Sequence, residues 1–207
     1  MKHEWRRKEK DFYLPKTEPV LVTVPSFKFF TIRGKGNPND SFFGDYIGVL
    51  YSLSYAIRMS HKAGFAPPDY YEYAVYPLEG VWDISDEAKQ NYSGVVNKDE
   101  LLFNLMMRQP DFVTPELAQE ALERTKKKKP HELLDQVEFS EIEDGKCVQM
   151  MHIGSYDDEP ASFERMESFT QEVGLTRNSK VHREIYISDA RKVDPEKLKT
   201  ILRFKVE

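Results

Sequence analysis

Val181-His182-Arg183-Glu184-Ile185-Tyr186-Ile187-Ser188-Asp189 alternates with period two as far as Ser188, the pattern of a strand with one face buried. Val181, Ile185 and Ile187 share one face, with Arg183 the exception, and His182, Glu184, Tyr186 and Ser188 share the other. A carboxylate and a phenol two positions apart, flanked by isoleucine, allow two readings. Facing open water, Glu184 is an ordinary solvated acid. Facing a cavity, it is a fixed negative charge with Tyr186 as an amphipathic wall beside it.

Outward from this strand, the pattern before it recurs earlier in the chain. Lys146–Ile187 runs strand, Gly-containing turn, helix, Gly-Leu stop (Gly174-Leu175), strand. Phe27–Trp82 runs the same way with a Gly64-Phe65 stop. In this alignment Tyr71-Glu72-Tyr73 takes the place of Arg183-Glu184-Ile185. Two similar modules in one short chain predict an α+β fold. The modules are related by a pseudo-twofold, and antiparallel sheets face a central cleft into which Glu184 looks.

The intervening segments complete the expected order. Residues 1–26 carry Pro15, Pro19 and Pro25 and read as an arm anchored by Phe12, Tyr13 and Leu14. Module one spans about 27–110, a helical connector about 114–130, and module two about 136–206. Module one has a strand at Phe27–Arg33, a helix from Asp40 or Ser41 to about Ala63, an aromatic strand at Tyr70–Tyr76, and a turn at Pro77–Gly80 into Val81–Ile84. Residues 85–98 read as a loop and Leu101–Met107 as a strand. Thr114-Pro115-Glu116 starts the connector helix, with proline in its first turn and acid at its positive end. Lys126–Lys129 end it, better explained by cations at a helix C-terminus than by a nucleic-acid patch. In module two, Val137–Ile142 and Lys146–Ile153 form a hairpin about Glu143-Asp144-Gly145, a helix covers about Glu159–Val173, and Ile201–Val206 is the last strand.

With 40% hydrophobic and 31% charged residues the chain reads as soluble and globular. Its formal net charge of −5 argues against a nucleic-acid binder, whose footprint is basic. One cysteine, Cys147, excludes an intrachain disulfide and fits a reducing cytoplasm, where it reads as a packed thiol. The polar N-terminus is neither a signal peptide nor a spanning helix.

Five stretches, in order, resemble the GyrI-like small-molecule-binding domain. They are Leu50–Tyr55, Met107-Arg108-Gln109-Pro110-Asp111-Phe112, His152-Ile153-Gly154-Ser155-Tyr156-Asp157, His182–Asp189, and Pro195–Leu202. The second stretch and Leu50–Tyr55 resemble its stand-alone bacterial branch, and the resemblance covers roughly residues 20–206. It implies two strand-helix-strand-strand modules facing each other across an aromatic cleft with a central glutamate. In transcription factors of the family the domain is fused to a helix-turn-helix and senses amphipathic cations. Residues 1–26 are too few and too rich in proline for such a reader, so no direct nucleic-acid role is expected. The family also includes hydrolases that open the cyclopropane of DNA-alkylating natural products, and its smallest members bind DNA gyrase.

The pocket chemistry then has two forms. Glu184 among aromatic rings holds a cation by charge and cation–π contact together. Alternatively, Glu184 is a general base for water and Tyr186 donates to the oxygen on which charge develops. Hydrolysis of a strained cyclopropane is the leading activity, in a protective role. Non-catalytic multidrug binding is the alternative, and inhibition of gyrase a third reading. Trp82, Tyr51, Tyr55 and Tyr156 are the candidate walls. Trp82 is equally a core anchor, Tyr51 and Tyr55 read as core on one helical face, and Tyr156 as the shaper of a turn. His152 reads as a core histidine with satisfied hydrogen bonds, and as a base only in second place. Asp157, Asp158 and Glu159 fit a helix N-terminus better than a metal site, and Gly34-Lys35-Gly36 lacks the rest of a phosphate loop. No metal, nucleotide or other cofactor is expected.

Overall fold

The computed structural model describes residues 2–91 and 96–207. In chain order it contains α1 (Trp5–Lys8), α2 (Lys10–Tyr13), β1 (Val20–Lys35), α3 (Phe43–Arg58), α4 (Ser60–Ala63), β2 (Leu78–Ile84), α5 (Asp86–Gln90), β3 (Leu101–Gln109), α6 (Pro115–Lys128), β4 (Glu138–Ile153), α7 (Glu159–Glu172), β5 (His182–Tyr186) and β6 (Lys199–Lys205). The fold is α+β with antiparallel strand pairing, and strand-helix-strand-strand occurs twice, as β1-α3-β2-β3 and β4-α7-β5-β6. Among the described residues no helix is long and apolar enough to cross a membrane.

The chain forms two compact units. The first comprises Phe27–Leu78 and Asp83–Ile142 with the N-terminal residues up to Glu4. Within it β1 pairs with β3, Lys28 opposite Gln109 and Lys35 opposite Leu102. On α3, Val49, Leu50, Leu53, Ser54 and Ile57 recur at three- and four-residue spacing and are buried. The Thr114 hydroxyl caps α6 by accepting the Leu117 N–H at 3.2 Å.

The second unit comprises Trp5–Ser26, Glu79–Trp82 and Glu143–Glu207. Here β5 pairs with β2 on one side and β6 on the other, and β6 continues to β4. Val148, Met150, Met166, Leu202, Phe204 and Val206 form a core under α7. The opposite side of this unit is polar and buried. Arg183 donates to Glu79 at 2.8 Å and lies 2.8 Å from Asp144, and Arg203 donates to Gln149 and to the Phe12 carbonyl. The arm closes over these groups. Trp5 and Tyr13 are each 1% exposed and pack at 5.3 Å, with the Tyr13 hydroxyl donating to Glu79. Its anchors are therefore Trp5 and Tyr13, while Phe12 and Leu14 are half-buried.

Four sequence expectations are corrected. First, β1 begins at Val20 rather than Phe27 and carries on through Pro25. The Val- and Thr-rich run Val20-Leu21-Val22-Thr23-Val24 supplies the strand, with Val24 turned inward. Second, Tyr70–Tyr76 is no strand apart from a single bridge of Tyr73 to His3. Its rings pack round Phe112 instead, at 5.2 Å for Tyr70, 5.1 Å for Tyr71 and 6.0 Å for Tyr73. Glu72 is thus not the counterpart of Glu184. The strand that answers β5 is β2, in which Pro77–Gly80 was expected to turn. Third, Glu138–Ile153 is one strand, not a hairpin. Gly145 takes a left-handed φ of 68° without reversing the chain, and Asp144 beside it turns toward Arg183 and Arg203. Fourth, the expected loop at 85–98 contains α5, capped by the Ser85 hydroxyl; its residues 92–95 lie outside the described ones.

Removing one partner of a buried ion pair leaves the other charge uncompensated, at a cost of about 3–5 kcal/mol. Glu79→Ala should therefore lower unfolding free energy by about that amount in urea denaturation. A loss near 1 kcal/mol, roughly the worth of an exposed pair, would show that water reaches Arg183.

Candidate functional site

The two faces of β5 are chemically opposite. Arg183 and Ile185 are buried on one side, while His182, Glu184 and Tyr186 are half-buried on the other. Arg183 is thus no exception on its face; it is the partner of Glu79 and Asp144. On the second face the pairing with β2 sets Gly80 opposite Glu184 and Trp82 opposite His182. Gly80 puts no side chain between Trp82 and Tyr186, so the indole reaches along the face to the phenol.

A directed chain of hydrogen bonds results. The Trp82 indole N–H donates to the Tyr186 oxygen at 2.9 Å, and the Tyr186 hydroxyl donates to Glu184 Oε2 at 2.8 Å. His182 Nε2 stands 3.1 Å from Glu184 Oε1, and its Nδ1 stands 3.2 Å from the Lys180 carbonyl. Both ring nitrogens face acceptors, so both bonds form together only when the ring carries two N–H hydrogens. The Glu184 side chain is 12% exposed, and among the described residues no lysine or arginine pairs with it. Burial first, and Glu184 second, push the Tyr186 phenol well above its ordinary range, which keeps it a neutral donor.

Tyr156, in the turn that follows β4, meets Tyr186 edge to face at 6.0 Å. Its ring is 40% exposed and its hydroxyl is pushed up to about 12 by burial and then by Glu184. The structure therefore brings together Glu184, Tyr186, Trp82 and Tyr156. His152 has both nitrogens taken: the Ser155 carbonyl accepts from Nε2 at 2.9 Å, leaving Nδ1 to accept the Ser162 hydroxyl at 2.9 Å. It is a satisfied buried histidine. Tyr51 and Tyr55 belong to the first unit, stacked on α3 with centroids 6.4 Å apart. Tyr55 is 46% exposed, so the core reading does not apply to it.

One residue of the site was missed. Of the acids at the start of α7, Asp157 and Asp158 are exposed but Glu159 is buried, its carboxyl within hydrogen-bond reach of Glu184. Burial first, then Glu184, raise its pKa strongly. The helix dipole pulls the other way but is worth only about 0.3–1 kcal/mol. Repulsion between two carboxylates in such close reach is several-fold larger at an effective dielectric of about 20, so repulsion wins. Among the described residues Glu159 Oε1 has no hydrogen-bond partner. Sequence carried no signal separating Glu159 from its acidic neighbours, because burial depends on how α7 meets β5.

Among the described residues no three His, Cys, Asp or Glu side chains gather as a metal-holding group. A cavity of about 260 Å³ opens elsewhere in the second unit, against Asp144, Cys147, Arg183 and Arg203, and shares only His182 with the Glu184 face. Burial pushes the Cys147 thiol up to about 11 there, as befits a packed thiol.

A model of the GyrI-like small molecule binding domain matches residues 17–207. No curated protein matches the chain. Among solved structures, a hydrolase from Listeria innocua is 36% identical, with 100% of each chain covered and a TM-score of 0.88. An uncharacterized conserved protein from the same organism is also 36% identical over 100% of both chains, with a TM-score of 0.91. The C-terminal domain of EcmrR shares the fold at 14% identity and a TM-score of 0.56, covering 92% of this chain and 97% of that one.

The raised Glu159 pKa has a measurable sign. A carboxyl raised from 4.5 toward about 10 on folding binds more proton in the folded state, so stability present at low pH is lost as pH rises through that range. Glu159→Gln needs no proton. Its melting temperature should gain on wild type between pH 5 and pH 8 by roughly 4 °C or more. A difference that stays constant with pH would show that Glu159 is ionised throughout.

Proposed function

Because the chain belongs to the GyrI-like small-molecule-binding family, we propose that the Glu184 face takes aromatic, amphipathic or cationic xenobiotics. Its activity in this proposal is hydrolysis of cyclopropane-bearing DNA-alkylating compounds, in a protective role. The observation that carries the reading is the Glu184 carboxylate. It is nearly buried, without a lysine or arginine partner among the described residues, oriented by Tyr186 and set beside the rings of Trp82 and Tyr156. A structural acid in that position would have been given a cation, as Asp144 and Glu79 have Arg183. The full-length likeness to a Listeria innocua hydrolase supports an enzymatic role.

In the hydrolysis, Glu184 accepts a proton from water as the water oxygen attacks the strained ring carbon. The ring C–C bond breaks and its electron pair passes to the conjugated carbonyl oxygen, which takes up a proton to finish as a hydroxyl. Trp82 fixes Tyr186 and Tyr186 fixes Glu184, so the base is held in one orientation before substrate arrives. The engagement of the Tyr186 hydroxyl with Glu184 favours this orienting role over direct donation to substrate. It is also the observation behind the second reading, binding without turnover, since a site needs no free donor to hold a cation.

The test is hydrolysis of a cyclopropane-bearing alkylator, followed by product mass. Glu184→Gln should lower the rate by about 10²–10⁴ because an amide accepts no proton. Tyr186→Phe should reduce kcat, whereas Trp82→Ala should also weaken binding by removing contact area. No rate above buffer for wild type, alongside micromolar or so binding of a rhodamine-like cation that Glu184→Gln weakens, would leave the binding reading in force.

A further inference from the structure

We propose that Glu159 and Glu184 share a single proton in the empty site, and that a cationic ligand enters by displacing it. The inference rests on the reading of this face as a ligand site and says how it handles charge. Its basis is the juxtaposition of two carboxyls from different elements, β5 and the first turn of α7, with one buried oxygen of Glu159 unpartnered. Two carboxyls in hydrogen-bond reach, away from water, cannot both ionise without a counter-charge, and the pair titrates as one unit.

The groups facing the pair offer one possible counter-charge, His182, and it lies against Glu184 rather than Glu159. From β5 come the Tyr186 hydroxyl, a neutral donor already committed to Glu184, and His182, the one neighbour able to carry positive charge. From β2 comes Trp82, which reaches the pair only through Tyr186. The turn before α7 contributes Tyr156 and Asp157, which add no positive charge. Asp189, beyond β5 and near Tyr156, is already paired with Arg191 at 2.9 Å and Lys192 at 3.4 Å, so it adds little net charge. Among the described residues no lysine or arginine pairs with Glu159 or Glu184.

The empty site therefore holds less charge than two carboxylates imply, which spares it the full repulsion. A monocation that settles between the aromatic rings supplies the missing counter-charge. Glu159 then ionises, its proton leaves to solvent, and the bound cation meets two carboxylates rather than one. Such a site selects permanent aromatic cations over neutral rings of the same shape more strongly at higher pH. One proton released per cation bound tightens affinity tenfold per pH unit wherever the empty pair holds the proton and the filled one does not.

The experiment has one arm without ligand and one with tetraphenylphosphonium as probe. Infrared difference spectra of the ligand-free protein at pH 7 should show a protonated-carboxyl carbonyl band that Glu159→Gln abolishes. Glu184→Gln should let that band titrate at lower pH, because the like charge is gone. Calorimetric titration of tetraphenylphosphonium in two buffers of different ionisation enthalpy should show close to one proton released by wild type. Glu159→Gln should release none, with weaker affinity that no longer changes with pH. Binding by wild type with no proton release overturns the exchange and leaves the ligand reading standing. Release that survives in Glu159→Gln assigns the proton to His182 and also overturns it, as does the absence of the band. No cation binding at all, with the band present, overturns the exchange and leaves the hydrolysis reading to its own assay, while the shared proton remains as measured. Should Glu159→Gln fail to fold, the pH shift of the band in Glu184→Gln decides the pairing.

Discussion

The site depends on the period-two pleat of β5, held between β2 and β6. Arg183 and Glu184 are adjacent, so the strand sends one to each side. Arg183 goes inward and finds Glu79 at 2.8 Å and Asp144 at 2.8 Å, with Tyr13 and the arm covering the group. A buried guanidinium has few other places to go: a one-residue slip would carry it to the outer face, turn Glu184 inward beside Glu79, and leave like charges together. The register that satisfies Arg183 is thus the register that presents Glu184. Arg203, paired with Gln149 and the Phe12 carbonyl, extends the same argument to β6 and β4.

The two faces treat negative charge differently. On the inner side Asp144 has its pKa lowered by Arg183 and Arg203 in spite of burial, so its charge is structural and permanent. On the outer side Glu159 has its pKa raised by burial and then by Glu184. The difference lies in counter-charge, since both carboxyls are largely out of water. Trp82 and Tyr186 add the directional part, a file of donors ending on a carboxylate, made continuous by the glycine opposite Glu184.

Much of this was legible in sequence. The alternation of residues 181–188 gave the strand and put Glu184 and Tyr186 on one face. The spacing along α3, the Thr114-Pro115 start of α6 and the glycines at 64 and 174 placed the helices, because caps and amphipathic stripes are local. The doubled strand-helix-strand-strand order came from the family resemblance, whereas the repeat read from local signals matched Tyr70–Tyr76 to β5 where the structure puts β2. What misled was aromatic content. Tyr70–Tyr76 has strand composition, yet its rings form a cluster round Phe112, and propensity does not say which neighbour a ring will find. Glu143-Asp144-Gly145 has turn composition, yet Arg183 and Arg203 hold Asp144 within a continuous strand.

Sequence by itself determined β5, the helices α3, α6 and α7, and the placing of Glu184 and Tyr186 on one face, since these follow from backbone periodicity and from residues a few positions apart. Only the tertiary structure decided which charges are paired. It gave Arg183 to Glu79 and Asp144, residues 104 and 39 positions away, and left Glu184 with Glu159, Tyr186 and His182. A carboxyl's chemistry is set by its dielectric surroundings and nearest charges, and those come from strands and helices that meet across long stretches of chain. Glu159 looks like Asp157 and Asp158 in sequence; packing of α7 against β5 makes it different.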